Sequence, residues 1–215
     1  MIKHLALGHI KAEDIPAAFT KENIEYHGID CVDWPKEYPY KPDASFGIAY
    51  TDDAILIHFK AREDDVRAFV GEDKGQVWTD SCVEFFFRPD LQGSYYNIEC
   101  NCIGKILVAC GPEREGREVA PDEVFEGIER WADIGDRPFD ERFADTSWET
   151  ALVIPFTTFF HHDIKTLSGK VCTANFFKCG GSGEYEHYLS WAPIDVPTPD
   201  YHRPDFFRKI EFETI

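Results

Sequence analysis

Along most of the chain, apolar and polar side chains alternate with a period of two, and helix-like spacing never persists beyond a turn or two. The alternation is clearest over Ser81–Arg88. There Ser81, Val83, Phe85 and Phe87 share one face, while Cys82, Glu84, Phe86 and Arg88 share the other. The same pattern predicts strands at Phe46–Tyr50, Ile55–Ala61, Tyr96–Ile103, Ile106–Cys110, Trp148–Ile154, Val171–Cys179, Tyr188–Trp191 and Lys209–Glu213. Thr51-Asp52-Asp53 reads as a hairpin corner and Gly104 as a second turn. Many short strands punctuated by Gly, Pro and Asp predict an all-β fold, an antiparallel β-sandwich of immunoglobulin-like or jelly-roll-like form with short helices in its loops.

A few segments depart from this pattern. Residues 12–19 and the stretch opening at Pro121-Asp122-Glu123 predict short helices, and Ile128–Ile134 predicts one more strand. The Pro-rich run from Trp34 to Pro42 reads as extended chain, too short for an interdomain linker. Residues 1–215 therefore read as a single domain.

Composition narrows the function. Forty Asp and Glu face 22 Lys and Arg, a formal charge of −18 spread along the whole sequence. Such a surface repels phosphate backbones and anionic lipid heads, so neither a nucleic-acid partner nor a membrane surface is expected. No apolar run reaches the roughly 20 residues of a membrane helix, so no membrane insertion is expected. The N-terminal stretch lacks the look of a signal peptide, and seven cysteines without a CxxC spacing read as free thiols of a reducing compartment. That points to the cytoplasm, whereas a leader trimmed from the sequence would place the protein outside it, so localisation stays open.

Polar residues stand out within three apolar strands. Glu84 must meet a cation, a hydrogen-bonding ligand or water, because a carboxylate in a dry core costs several kcal/mol. On the next strand Asn97, Glu99 and Asn101 line one face, so one side of this sheet is polar. Asn175 either satisfies backbone groups or reaches a ligand. Further on, a loop stiffened by Pro197, Pro199 and Pro204 displays Tyr201, His202 and Arg203.

The ordered segments WTDSCVEFFF (78–87), YYNIECNCIG (95–104), WETALVIP (148–155), ANFFKCG (174–180), YLSWAPI (188–194) and YHRPDFF (201–207) resemble the stand-alone relatives of the family 9 carbohydrate-binding modules. The resemblance runs from about Asp33 to Phe212. It implies a non-catalytic β-sandwich that holds a mono- or oligosaccharide between two aromatic rings and supports polysaccharide catabolism, beside a glycoside hydrolase where one is present. On the positions that match, Trp78 and Tyr201 would be the rings. Glu84 resembles the residue that hydrogen-bonds the sugar hydroxyls, whereas the family often has an Arg on the following strand where this sequence has Glu99 or its neighbours. From the polar pattern read above, Asn175 would help fix the hydroxyls, with Glu99, Asn101, Lys178 and His202 along the rim. No cofactor is required by this reading, but the family often carries structural calcium. A pyranose has apolar C–H faces and a rim of hydroxyls, so rings beside carboxylates and amides suit it on physical grounds as well.

Two other readings use the same residues. Glu84 and Glu99 on neighbouring strands would serve as the acid/base pair of a glycoside hydrolase. A haem-binding electron-transfer module is the second. Its axial ligation could not use methionine, because Met1 is the only one, which leaves a bis-histidine site among eight histidines.

Overall fold

The period-two segments become two facing sheets in a computed structural model that describes residues 1–215. The first sheet contains β1 (Lys3–His4), β2 (Tyr26–Gly28), β4 (Asp43–Tyr50), β5 (Ala54–Ala68), β10 (Glu129–Ala132) and β11 (Phe139–Pro155), in the order β1-β4-β5-β11-β10 with β2 also on β4. The second contains β3 (Cys31–Val32), β6 (Cys82–Arg88), β7 (Tyr95–Asn101), β8 (Ile106–Gly111), β9 (Glu118–Val119), β12 (Val171–Gly180), β13 (His187–Ser190) and β14 (Arg208–Glu211). Its order is β3-β13-β12-β6-β7-β8-β9, with β14 also on β12. Neighbours are antiparallel except β1 on β4. Two short helices, α1 (Ile15–Lys21) and α2 (Asp122–Gly127), lie in connections, and no helix is long and apolar enough to cross a membrane.

The main core lies between the sheets and follows the alternation. Phe46, Ile48, Ile57, Phe59 and Leu152 from one sheet meet Val83, Phe85, Phe87, Ile98 and Phe176 from the other. Phe46 stacks on Phe176 across the interface, rings nearly parallel at 11°. Each outer face is covered as well. α1 lays Ile15 and Phe19 over Leu56, Ala151 and Val153 of the first sheet. Loops cover the second with Trp34, Val77, Ile194, Tyr201 and Phe207.

Strands β5 and β11 extend beyond the expected Ile55–Ala61 and Trp148–Ile154, because the added part of β5 hides its charge. Glu63 is buried, accepting from Trp148 Nε1 at 2.6 Å and from Lys178 Nζ at 2.7 Å. Lys178 Nζ also meets His187 Nε2 at 2.8 Å and donates to the Cys179 carbonyl at 2.9 Å. The expectation that Lys178 lines a binding rim is therefore corrected. Its position on β12 has the parity of Phe176, which points into the sandwich, and its ammonium is fully consumed there.

Candidate functional site

The outer face of the second sheet holds a patch of ionisable side chains beneath its loops. Glu84 on β6 stands directly opposite Glu99 on β7, and Cys82 on β6 directly opposite Cys179 on β12. Over them opens a cleft of about 190 Å³ lined by Trp78, Glu84, Glu99, Arg117, Cys179, Tyr188, Tyr201 and His202, among others. At about 30 Å³ per water this is room for roughly six waters, the scale of one small polar ligand. A larger groove of about 470 Å³ runs between the sheet edges near Phe46, Phe176, Trp191 and Ile210. Its charged groups, Lys3, Glu25, Lys209 and Glu211, are at or near the surface and none is buried, so the smaller cleft is the better candidate.

Local structure explains how each wall is held. Trp78 sits on a single 3-10 turn, Val77–Thr79, whose end is fixed by the buried Asp80. The Asp80 carboxylate accepts from the backbone N–H groups of Phe69 and Val70 at 2.9 and 3.0 Å, and from Asn101 Nδ2 at 2.9 Å. Arg67 donates from below to the Thr79 carbonyl at 2.7 Å. The far wall is fixed in the same manner. Asp33 accepts from Ser190 Oγ and the Ile194 N–H, and Trp34 Nε1 donates to the Val196 carbonyl at 2.8 Å.

These contacts reassign two expected ligand residues. Asn101 is fully buried, its amide committed to the Val70 carbonyl and Asp80, and its oxygen to the Lys105 N–H. Asn175 is also fully buried. It donates to the Ala192 carbonyl at 3.0 Å and accepts from the N–H groups of Ala192 and Phe176. Both amides hold up the loops that form the cleft, and neither lines it.

Tyr201 lines the cleft, yet it is not a freely displayed ring. It is 8% exposed, one face lies on Phe177 with centroids 4.1 Å apart, and its hydroxyl donates to the Lys178 carbonyl at 3.0 Å. Trp78, by contrast, is 43% exposed. His202 lines the cleft with its Nδ1 2.8 Å from the Tyr95 hydroxyl. Burial, aided by Arg117 and Arg114, lowers the His202 pKa to about 3, so the ring is neutral.

The carboxylates have unusual surroundings. Glu84 Oε1 is met by Cys179 Sγ at 3.2 Å. Desolvation, reinforced by Cys179 and by Glu99, pushes its pKa well above the usual carboxylate range. Desolvation likewise raises Glu99 to about 7, against the opposing pull of Arg117 and the hydrogen bond from Asn97. Glu99 Oε2, Asn97 Oδ1 and Arg117 Nη1 are buried and lack any hydrogen-bond partner. An unpaired acceptor and an unpaired donor thus border one cleft, a combination that a hydroxyl, which both donates and accepts, would satisfy.

Arg114 and Arg117 carry no signal in the hydrophobic pattern, and Tyr188, although it lies on the predicted strand Tyr188–Trp191, is not marked by that pattern as a site residue. The arginines sit on the connection between β8 and β9, inside a stretch that reads as a generic acidic loop. One group of ionisable donors converges closely enough to share a metal ion, Cys82, Glu84 and Cys179, two sulfurs and one carboxylate, a set unlike the six to eight oxygens that calcium takes. Several histidines are committed to separate hydrogen-bond networks, His58 with Tyr26 and Glu149, His162 with Tyr96, His187 with Lys178 and His202 with Tyr95.

Comparison with known proteins places this geometry in context. The model of the carbohydrate-binding family 9 matches residues 13–212. The crystal structure of a protein from Bacteroides uniformis ATCC 8492 assigned a carbohydrate-binding role is 42% identical, with a TM-score of 0.95 over 99% of this chain and 97% of that one. A family 9 carbohydrate-binding module from Caldicellulosiruptor kristjanssonii in complex with glucose shares the fold at 10% identity and a TM-score of 0.62, over 100% of this chain and 97% of that one. Its complex with cellotriose gives 0.60 at 10% identity, over 100% and 95%. No curated protein matches the chain.

Proposed function

The chain belongs to carbohydrate-binding family 9, and from that premise we propose that the cleft beneath Trp78 binds the end unit of a saccharide without cleaving it. The observation that carries the reading is the pairing of an exposed indole with partnerless buried polar atoms, Glu99 Oε2 and Arg117 Nη1, around one small cleft. In this reading Trp78 stacks on a pyranose face, and the half-buried Tyr188 and the edge of Tyr201 bound the other side. Glu84, holding its proton, donates to a hydroxyl, while Glu99 and Arg117 share another as acceptor and donor.

The facing Glu84 and Glu99 also supply the ingredients of an acid catalyst, so one experiment addresses both readings. Glucose, cellobiose and their reduced alditols are titrated by calorimetry, and the recovered cellobiose is analysed for free glucose. Aromatic contacts of about 0.5–1.5 kcal/mol and charge-assisted hydrogen bonds of about 1.5–3 kcal/mol, set against association entropy, give an expected Kd between about 1 μM and 1 mM. Binding with intact cellobiose supports the reading, and loss of binding to the alditols supports an end-unit pocket. Silence across the panel overturns the binding role, and released glucose overturns its non-catalytic character.

A further inference from the structure

We infer that the floor of this cleft is also a binding site for a thiophilic divalent cation of the Zn²⁺ type, held by Cys82, Glu84 and Cys179. Cys82 and Glu84 are two residues apart on β6 and so point to the same face, and Cys179 faces Cys82 from β12. Their ligand atoms all lie within 4.8 Å of one another, and Cys179 Sγ is already 3.2 Å from Glu84 Oε1. Bonds of about 2.3 Å to sulfur and 2.0–2.2 Å to oxygen in a tetrahedron set donor atoms about 3.5–3.8 Å apart, so side-chain rotation alone closes the site.

The charge and the shape agree. Two thiolates and a carboxylate more than neutralise a dication in a buried setting, and Arg117 above the cleft offsets the excess. The strands that present the donors, β6 and β12, are adjacent in the middle of the sheet, so the backbone positions are fixed before any ion arrives. Three protein donors leave a fourth position for water, and Glu84 and Cys179 both border the cleft through which the ion and that water enter. Neither thiol is in a disulfide, and the third donor, Glu84, distinguishes this cluster from a simple redox pair. Because the ion withdraws Glu84, it and a saccharide exclude each other; that corollary rests on the binding role proposed above, whereas the metal site does not.

The test uses the metal alone on the whole chain, fully reduced and stripped with chelator. Titration with Cd²⁺ is expected to raise a thiolate-to-metal charge-transfer band in the ultraviolet that saturates at one equivalent and is displaced by Zn²⁺. Cys179→Ser should abolish it, Glu84→Gln should weaken it by about tenfold or more, and Cys31→Ser should leave it unchanged. No band, a band that survives Cys179→Ser, or one lost in Cys31→Ser overturns the site. X-ray absorption on the Zn²⁺-loaded natural sequence avoids variants that fail to fold. Two sulfur neighbours support the site, and an all-oxygen or nitrogen shell refutes it. Failure here with saccharide binding intact leaves the carbohydrate reading standing.

Discussion

Replacing Trp78 with Ala removes a ring that the fold does not need. A Trp side chain offers up to about 250 Å² of contact surface, and Trp78 leaves 43% of its surface open, which is about 100 Å². A pyranose covering one face removes about half of that from water, worth roughly 1.3 kcal/mol at 25 cal/mol per Å². Adding about 0.5–1.5 kcal/mol for the contact of the aromatic face gives roughly 2–3 kcal/mol in all. The affinity for cellobiose should therefore fall by a factor of about 30 to 150, read by calorimetry. The thermal midpoint should barely move, because the turn is held by Asp80, Asn101 and Arg67 independently of the indole. An unchanged Kd would refute the stacking role. Collapse of the fold would show that the ring is a core element despite its exposure.

The remaining predictions concern the scaffold beneath the cleft. Lys178→Ala strands Glu63 in the interior, so it should cost about 3–5 kcal/mol and lower the melting temperature by about 10 °C, seen by calorimetric unfolding; a change below 1 kcal/mol would contradict the buried pairing. Burial raises the Glu99 pKa from 4.5 to about 7, so this group favours the fold fully below pH 4.5 and that contribution disappears as the pH climbs through about 7. In chelator-treated buffer, the Glu99 share of that decline should be on the order of 3 kcal/mol, and Glu99→Gln should make the decline shallower while the raised Glu84 still contributes to it; a flat profile in the natural sequence would refute it. Of the seven thiols only Cys31 is more than marginally exposed, so native, metal-free protein should take up one equivalent of a thiol reagent rapidly. Two or more thiols reacting at the same rate would contradict the packing.

How much of this was legible in the sequence differs from one segment to the next. The faces of β6 and β7 follow directly from the alternation of Val83, Phe85 and Phe87 against Cys82, Glu84 and Phe86, because period-two geometry allows no other arrangement. The short helix after Pro121 and the strand that follows it were equally visible, from a Pro at the boundary and acidic first-turn residues. The full length of β5 was hidden, because Glu63 and Asp65 break the apolar pattern and their partners, Lys178 and Ser182, lie more than a hundred positions away. The same long-range pairing explains Lys178. Its strand parity already pointed inward, but its partner is supplied by the opposite sheet. Asn101 and Asn175 looked like ligand residues because a buried amide needs partners, and only the folded loops show that those partners are backbone groups and, for Asn101, the Asp80 carboxylate as well. Arg117 reaches the cleft from a loop, which carries no periodic signature, and Tyr188 stands on a predicted strand but reaches the cleft only through that strand's pairing with β12 beside Cys179.

The claim at the centre of this account is that one cleft, floored by Glu84 and Glu99 and walled by Trp78, receives a sugar. A crystal structure of the protein with bound glucose tests it most directly. The account predicts a pyranose lying against the Trp78 indole, with hydroxyls on Glu84, Glu99 and Arg117. Glucose seated instead in the groove beside Trp191 and Ile210, or no ordered sugar at saturating concentration, would contradict it.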